Sequence, residues 1–198
     1  MHDRHHHSPP LGRIEVIAGG MFSGKSEELV RRLRRAVIGR LRVQVFKPSA
    51  DSRHPPERLV TRDNRELASE AVPDSKALRR ALEDDVEVVG IDEAQFFDRG
   101  IVDEVMRLAD RGVRVIVAGL DQDYNRSPFG PMPELLALAE FVDKMHAVCV
   151  QCGGRAHYSQ RISGGDQQVL VGDVDAYEAR CRDCFEPYVS ESLGERAG

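Results

Sequence analysis

Eight consecutive residues near the start of the chain constrain its fold most strongly. They are Gly19-Gly20-Met21-Phe22-Ser23-Gly24-Lys25-Ser26, which satisfy the pattern G-x-x-x-x-G-K-[ST] at every fixed position. An apolar stretch at 13–18 precedes them, and apolar residues at helical spacing follow. In a strand–loop–helix context, such glycines let backbone N–H groups point inward at phosphate oxygens beside the positive end of a helix. The segment therefore predicts a nucleoside triphosphate site.

Two side chains of this loop complete the prediction. We expect Lys25 to contact the β- and γ-phosphates of ATP and the Ser26 hydroxyl to ligate Mg²⁺. The alternative is a glycine-rich turn with an incidental lysine. The strand before the loop and the helix after it disfavour that alternative.

A pair of carboxylates supplies the second element that such a site requires. Asp92 and Glu93 directly follow an apolar segment, 86–91, that is typical of a buried strand. An aspartate in this position holds the Mg²⁺ shell, so we assign that role to Asp92 beside Ser26. Glu93 lies one residue further on and can accept a proton from an attacking water or substrate hydroxyl. The alternative is a surface acidic pair at a strand end, and the presence of the phosphate loop disfavours it.

The cysteines form two pairs that account for all four in the chain: Cys149 with Cys152, and Cys181 with Cys184. Two C-x-x-C pairs are typical of a tetrahedral Cys₄ zinc site, which is structural because it has no open coordination position. A redox motif would use one such pair. Disulfides are disfavoured because the N-terminus has no apolar export signal.

The pattern of apolar segments predicts the fold class. Short Val- and Ile-rich runs alternate with helical patterns, which indicates an α/β phosphate-loop domain with a parallel sheet covered by helices on both faces. After residue 148 the sequence changes to short strands, glycine pairs and cysteines. We therefore predict disordered tails at 1–12 and 189–198, an α/β domain at 13–148 and a small zinc-binding β domain at 149–188. The predicted strands are 13–18, 42–46, 86–91, 113–118 and 144–148, and the predicted helices are 27–40, 75–82, 100–109 and 133–140.

Composition excludes several functional classes. The 198-residue chain contains no apolar run of the roughly 18–20 residues that cross a bilayer. Without an export signal, we expect a cytoplasmic location. The net charge of −5 argues against bulk nucleic acid as the main partner.

Taken together, these segments resemble the small, zinc-containing family of thymidine kinases over roughly residues 13–188. The resemblance also covers segments that spacing alone does not interpret. The matching segments are 19–26, 51–53 (DSR), 91–97 (IDEAQFF), 120–130 (LDQDYNRSPFG) and, most specifically, 172–184 (GDVDAYEARCRDC).

The resemblance implies a reaction and a role for each matching residue. The reaction is transfer of phosphate from ATP to the 5′-hydroxyl of thymidine, giving dTMP and ADP, with Glu93 as the general base. Segment 92–95, which adds Ala94 and Gln95 to the two carboxylates, contacts the nucleotide. The implied nucleoside contacts are Met21 and Leu120 beside the thymine methyl, Tyr124 at the base, the loop residues Gln168, Val169, Leu170, Val171 and Gly172, and Tyr177.

The same resemblance implies a flexible loop between the cysteine pairs that closes over the nucleoside and is anchored at both ends by zinc. Because this loop and the phosphate loop belong to separately predicted parts, we expect loss of zinc to weaken nucleoside binding before ATP binding. A homotetramer and inhibition by the end product dTTP are also implied. Which of Arg53, Arg62 and Arg65 approaches the phosphates stays open.

Two other classes of function compete with this interpretation. The segment Asp92-Glu93-Ala94-Gln95 also has the form of a DExx box, which is typical of helicase-like nucleic-acid motors. Such motors need two nucleotide-binding lobes, and the chain is long enough for one. A zinc-ribbon binding module with a degenerate ATPase is the third alternative.

Overall fold

Six parallel strands form the centre of the structure, a computed structural model that describes residues 12–49, 59–60, 66–67, 69–163 and 176–187. The strands of the described residues are β1 (Arg13–Ala18), β2 (Val43–Pro48), β3 (Leu59–Val60), β4 (Glu66–Leu67), β5 (Ser69–Val72), β6 (Val88–Ile91), β7 (Arg114–Gly119), β8 (Phe141–Lys144), β9 (Ala147–Val148), β10 (Arg155–Ala156), β11 (Tyr158–Arg161) and β12 (Tyr177–Arg180). The order of the six central strands is β5-β2-β6-β7-β1-β8, and every pairing between neighbours is parallel.

Helices cover both faces of this sheet, as the sequence predicts. They are α1 (Lys25–Ile38), α2 (Ser75–Ala81), α3 (Gly100–Asp110) and α4 (Met132–Leu138), with a short 3-10 helix at Ala94–Phe96. On one face, Leu29 and Leu33 of α1 pack on strand residues that include Ile116. The other face packs against α2, α3 and α4 through a larger apolar cluster that includes Leu78 and Ile101.

The parallel arrangement brings the predicted site segments to one edge of the sheet. The phosphate loop follows β1, and Asp92 with Glu93 follows β6. Strand β7 lies between these two strands and leads into the segment that begins at Leu120. Because the carboxyl ends of parallel strands meet at one edge, all three segments converge there.

Small antiparallel pairs make up the C-terminal part. Strand β9 pairs with β10, and β11 pairs with β12. Each of the two C-x-x-C pairs lies next to one of these short strands: Cys149 follows β9 and Cys181 follows β12. Strands β3 and β4 form a third antiparallel pair within the N-terminal part.

The predicted last strand, 144–148, is wrong. The chain instead forms the sheet-edge strand β8 at Phe141–Lys144 and a separate strand β9 at Ala147–Val148. Runs of apolar residues predict buried strands, whereas β8 is exposed throughout, with Phe141 54% exposed. Strand β5 was not predicted.

Several element boundaries also differ from the prediction. Helix α1 begins two residues before the predicted start, because Gly24 adopts a left-handed conformation and caps it. Helix α4 begins at Met132 and ends at Leu138, within a segment where two prolines obscured the start.

Some expectations fall outside the described residues. These include residues 1–11 and 189–198 of the predicted tails, and the division of the chain into domains stays a prediction. In the described part of the chain, no helix combines the length and apolar character needed to cross a membrane.

A buried carboxylate ties α1 to the sheet. Glu15 on β1 is 6% exposed and accepts hydrogen bonds from Arg13 (2.8 Å), Arg114 of β7 (2.7 Å) and Arg32 of α1 (3.0 Å). Burial by itself raises the pKa of Glu15, but the hydrogen bonds and charges of these arginines outweigh it and lower the pKa to about 2. Helix α1, which directly follows the phosphate loop, is therefore held to the sheet by an ion-pair network.

We expect Glu15→Gln to lower the free energy of unfolding by about 2 kcal/mol at pH 7, because three partly buried arginines lose a counter-charge. The folded-state pKa of Glu15 lies below its ordinary value of 4.5. The wild-type advantage is therefore complete above pH 4.5 and is lost as the pH falls towards 2. Urea unfolding of both proteins at about pH 7 and pH 3 measures this. An equal difference at both pH values would contradict the assignment.

Candidate active site

The phosphate loop adopts the backbone conformation that its glycines permit. Gly19 has φ +150°, and a β-carbon there would lie 2.6 Å from the carbonyl oxygen of Met145. Gly24 has φ +81° and stands immediately before α1. Phe22 is also left-handed, with φ +63°. The loop is thus tightly curled directly before the N-terminus of α1, the geometry that favours an anion.

Lys25 lies inside this loop. Its Nζ donates to the carbonyl oxygen of Gly20 at 2.7 Å, and the Ser23 hydroxyl donates to the same oxygen at 2.8 Å. Burial lowers the pKa of Lys25, while the negative charges of Glu93, Asp92 and Asp121 oppose that effect. A buried cation facing carboxylates is a typical feature of a functional site.

Asp92 and Ser26 are in direct contact, as the predicted Mg²⁺ pair requires. The Ser26 hydroxyl donates to the Asp92 carboxylate, and the backbone N–H of Glu93 donates to Asp92 Oδ1 at 2.9 Å. Burial raises the pKa of Asp92 to about 6, and the adjacent Glu93 charge adds to the rise; these hydrogen bonds and the Lys25 charge oppose it. Oxygen ligands of this kind suit Mg²⁺.

Glu93 stands in a strained conformation next to the pair. Its φ of +50° is uncommon for a residue other than glycine, and such strain occurs often at functional sites. The side-chain amide of Gln95 donates to Glu93 Oε2, and Gln95 Oε1 accepts from the backbone N–H of Leu120 at 2.9 Å. Gln95 is 2% exposed. Its amide therefore fixes Glu93 relative to the segment after β7.

Gln95 thus has a contact that the sequence did not suggest. Both ends of its amide are engaged within the protein, and the Ala94 side chain lies in the apolar core. Their predicted contacts with ATP stay predictions.

The described residues of the predicted nucleoside pocket come from two parts of the fold. Leu120 and Tyr124 follow β7, whereas Tyr177 begins β12. Arg161 lies between the two tyrosines: its guanidinium carbon is 3.6 Å from the centre of the Tyr124 ring, and it donates to the Tyr177 hydroxyl at 2.6 Å. Residues 168–172, and Arg53, Arg62 and Arg65, fall outside the described residues.

Strand β11 contacts the phosphate loop directly. Ser159 is 5% exposed, and its hydroxyl oxygen accepts from the backbone N–H of Met21 at 2.9 Å. A β-carbon at Gly20 would lie 3.2 Å from the carbonyl oxygen of His157. The phosphate loop is therefore in contact with the C-terminal part, although the apolar clusters of the two parts are separate. The predicted order of binding losses stays a prediction. Nothing in the local sequence pattern around Ser159 identifies this partner, so the contact could not be predicted from the sequence.

The four cysteines lie together. Their sulfur atoms are all within 4.8 Å of one another, and the sulfurs of Cys152 and Cys181 are 3.6 Å apart. In a tetrahedral zinc site the sulfurs are roughly 3.8 Å apart, so the cluster fits a Zn²⁺ ion. Although burial acts in the opposite direction, backbone N–H groups including those of Cys152 and Cys181 lower the pKa of the Cys149 thiol to about 6. These thiols are arranged as metal ligands.

The fold, the loop after β1 and the cysteine cluster define the general class: an α/β protein with a phosphate-binding loop and four cysteines arranged as metal ligands. The sequence model of the family described as thymidine kinase matches residues 12–185. The chain therefore belongs to the thymidine kinase family.

Individual relatives agree with the family match. A thymidine kinase of Bacteroides thetaiotaomicron is 51% identical over 88% of this chain and 87% of its own length. One from Porphyromonas gingivalis is 53% identical over 92% of this chain and 89% of its own. A solved structure described as an ATPase has a TM-score of 0.44 and 15% identity over 86% of this chain and 79% of that one, a likeness too low to carry an argument.

The contact between Ser159 and Met21 generates a prediction about the phosphate loop. We expect Ser159→Ala to weaken the binding of Mg²⁺ and a non-hydrolysable ATP analogue about 3- to 10-fold, because the Met21 N–H loses its acceptor and the loop loses a support. Isothermal titration calorimetry measures the affinity.

Ser159→Thr is the matched control, since it keeps the hydroxyl and should bind like the wild type. Metal analysis of each variant checks that the cysteine cluster is unaffected. Equal affinities for the alanine variant and the wild type would show that β11 does not support the loop.

Proposed function

We propose that this chain transfers the γ-phosphoryl group of ATP to the 5′-hydroxyl of thymidine, giving dTMP and ADP. The observation that carries the proposal is the convergence of Lys25, Asp92 and Glu93 on one edge of the sheet, in a chain of the thymidine kinase family. A cation, a metal-binding carboxylate and a base are the groups that phosphoryl transfer to an alcohol needs.

The loop from Gly19 to Ser26 binds the phosphates of ATP. Its curled backbone and the N-terminus of α1 support this role, and Lys25 stabilises negative charge on the transferring group. We expect segment 92–95 to contact the same nucleotide. Because the Met21 N–H is engaged by Ser159, Met21 contributes through its side chain, which we place beside the thymine methyl with Leu120.

Ser26 and Asp92 would hold Mg²⁺. Their side chains are hydrogen-bonded to each other, so both oxygen atoms lie at one place. The ion, when bound, would supply positive charge that offsets the negative charge of the phosphates during transfer.

Glu93 acts as the general base. Its carboxylate accepts the proton of the thymidine 5′-hydroxyl as that oxygen forms its bond to the γ-phosphorus. The bond from the γ-phosphorus to the bridging oxygen breaks, and ADP leaves with the electron pair. Gln95, which is held by the Leu120 N–H, orients the Glu93 carboxylate. Proton transfer requires a base that is positioned this precisely.

The nucleoside is held between Tyr124 and Tyr177, with residues 168–172 supplying backbone contacts to the base. The predicted closing loop would exclude water, which favours transfer to the hydroxyl over hydrolysis of ATP. One structural Zn²⁺ per chain, bound by Cys149, Cys152, Cys181 and Cys184, anchors that loop; the proximity of the four sulfurs supports this. A homotetramer, inhibition by dTTP and a cytoplasmic location stay predictions.

The helicase-like motor is the alternative from another class, and family membership supports thymidine phosphorylation over it. The two make opposite predictions about what stimulates ATP turnover. A kinase responds to thymidine, whereas a motor responds to single-stranded DNA.

If Glu93 is the general base, Glu93→Gln should lower kcat by about 10²–10⁴, because an amide cannot accept the proton. ATP affinity should remain close to that of the wild type. Initial rates of dTMP formation and ATP titration measure the two quantities. Glu83→Gln, which alters an exposed carboxylate outside the site, is the control. Near-normal turnover of Glu93→Gln would remove Glu93 from the mechanism.

Gln95→Glu tests the positioning of that base. The new carboxylate still accepts from the Leu120 N–H but repels Glu93 where the amide attracted it. We expect kcat to fall about 10-fold at neutral pH and the acid limb of its pH profile to move to higher pH, since two adjacent carboxylates do not ionise together easily. An unchanged pH profile would argue against contact between the two side chains during turnover.

A further inference from the structure

Arg161 is the largest fully buried side chain of the described residues, with 1% of its surface exposed. It ends strand β11 and stands directly opposite Tyr177 of β12 in the antiparallel register. Nothing in the sequence pattern or in the resemblance assigned it a role. Burying an arginine is costly unless its surroundings compensate the charge, so its contacts call for an explanation.

The guanidinium group makes two different contacts at once. Its central carbon lies 3.6 Å from the centre of the Tyr124 ring, within the range of a cation–π interaction. One terminal nitrogen donates to the Tyr177 hydroxyl at 2.6 Å, and the Tyr177 ring centre is 5.3 Å away. Arg161 thereby connects a residue that follows the central sheet to a residue of the C-terminal strand β12.

Only a planar, multiply donating cation can make both contacts. The guanidinium face stacks on an aromatic ring while its edge donates hydrogen bonds, whereas the ammonium group of lysine is a compact point charge. The geometry at Arg161 therefore depends on arginine specifically, not on a positive charge alone.

Ser159, two residues before Arg161, has its side chain on the same face of β11. Side chains alternate along a strand, so residues 159 and 161 share a face. Ser159 contacts the phosphate loop, and Arg161 contacts the two tyrosines. Between them, Gln160 takes the opposite direction and bonds to the backbone of Glu186.

We propose that Arg161 is a positioning residue that sets the affinity for the nucleoside by holding the Tyr124 ring and the Tyr177 hydroxyl at a fixed separation. This inference rests on the proposed function, in which both tyrosines contact thymidine. It assigns Arg161 no contact with ATP and no part in proton transfer. The consequence is a selective effect on the KM for thymidine.

The test compares Arg161→Lys with the wild type in steady-state assays that vary thymidine and ATP separately. We expect the KM for thymidine to rise at least about 10-fold, because the ring and the hydroxyl are no longer held together. The KM for ATP and the zinc content should stay within about twofold of the wild type. Arg155→Lys, an exposed arginine of the same C-terminal part, is the matched control and should behave as the wild type.

Tyr177→Phe provides a second variant that removes only the hydroxyl. If Arg161 acts through that hydroxyl, the double variant should raise the KM for thymidine by less than the product of the two single effects. Multiplicative effects, an unchanged KM for thymidine in Arg161→Lys, or equal losses in both KM values and kcat would each overturn the proposal. A wild-type chain that forms no dTMP from thymidine would instead contradict the proposed function, and this inference with it.

Discussion

The buried ammonium group of Lys25 and the carboxylates that face it are the interaction on which the site depends. Burial disfavours each of these charges separately: the pKa of Lys25 is lowered, and that of Asp92 is raised to about 6. Their mutual attraction compensates part of that cost. The parallel sheet makes the arrangement possible, because it delivers Lys25 from the loop after β1 and the carboxylates from the end of β6. A bound triphosphate and its metal ion are groups of the kind that would complete this charge balance.

Strand β11 brings the C-terminal part into direct contact with the proposed site, which the spacing of the cysteines does not indicate. Through Ser159 it supports the phosphate loop, and through Arg161 it contacts Tyr124 and Tyr177. A further contact joins the residue after the second cysteine pair to the segment that follows β7, since the Arg126 guanidinium lies 4.7 Å from the centre of the Phe185 ring. A metal ion held by the cysteine cluster would therefore stabilise a part of the chain that contacts both the phosphate loop and the two tyrosines. We expect removal of such an ion to weaken the binding of both proposed substrates.

The features that the sequence predicts are those whose geometry is fixed by spacing along the chain. A strand, a glycine-rich loop and a helix necessarily place Lys25 at a helix N-terminus, and a buried strand that ends in Asp92 carries that residue to the same edge. The sequence does not predict features that tertiary packing decides. The apolar residues of the edge strand β8, Phe141 and Val142, are exposed, and β8 does not show the pattern of a buried strand. The Leu120 partner of Gln95 and the partners of Ser159 and Arg161 are distant in sequence. A family resemblance suggests which residues bind substrate, but the side chains that hold those residues in place became visible only in the folded structure.

Phosphorus-31 NMR of ATP, Mg²⁺ and thymidine incubated with the wild-type protein tests the central claim most directly, because it follows where the γ-phosphoryl group goes. The account predicts that the resonance of dTMP grows in step with those of ADP, with little inorganic phosphate, and that leaving out thymidine stops the consumption of ATP. Release of inorganic phosphate at the same rate with and without thymidine, and no dTMP, would contradict it.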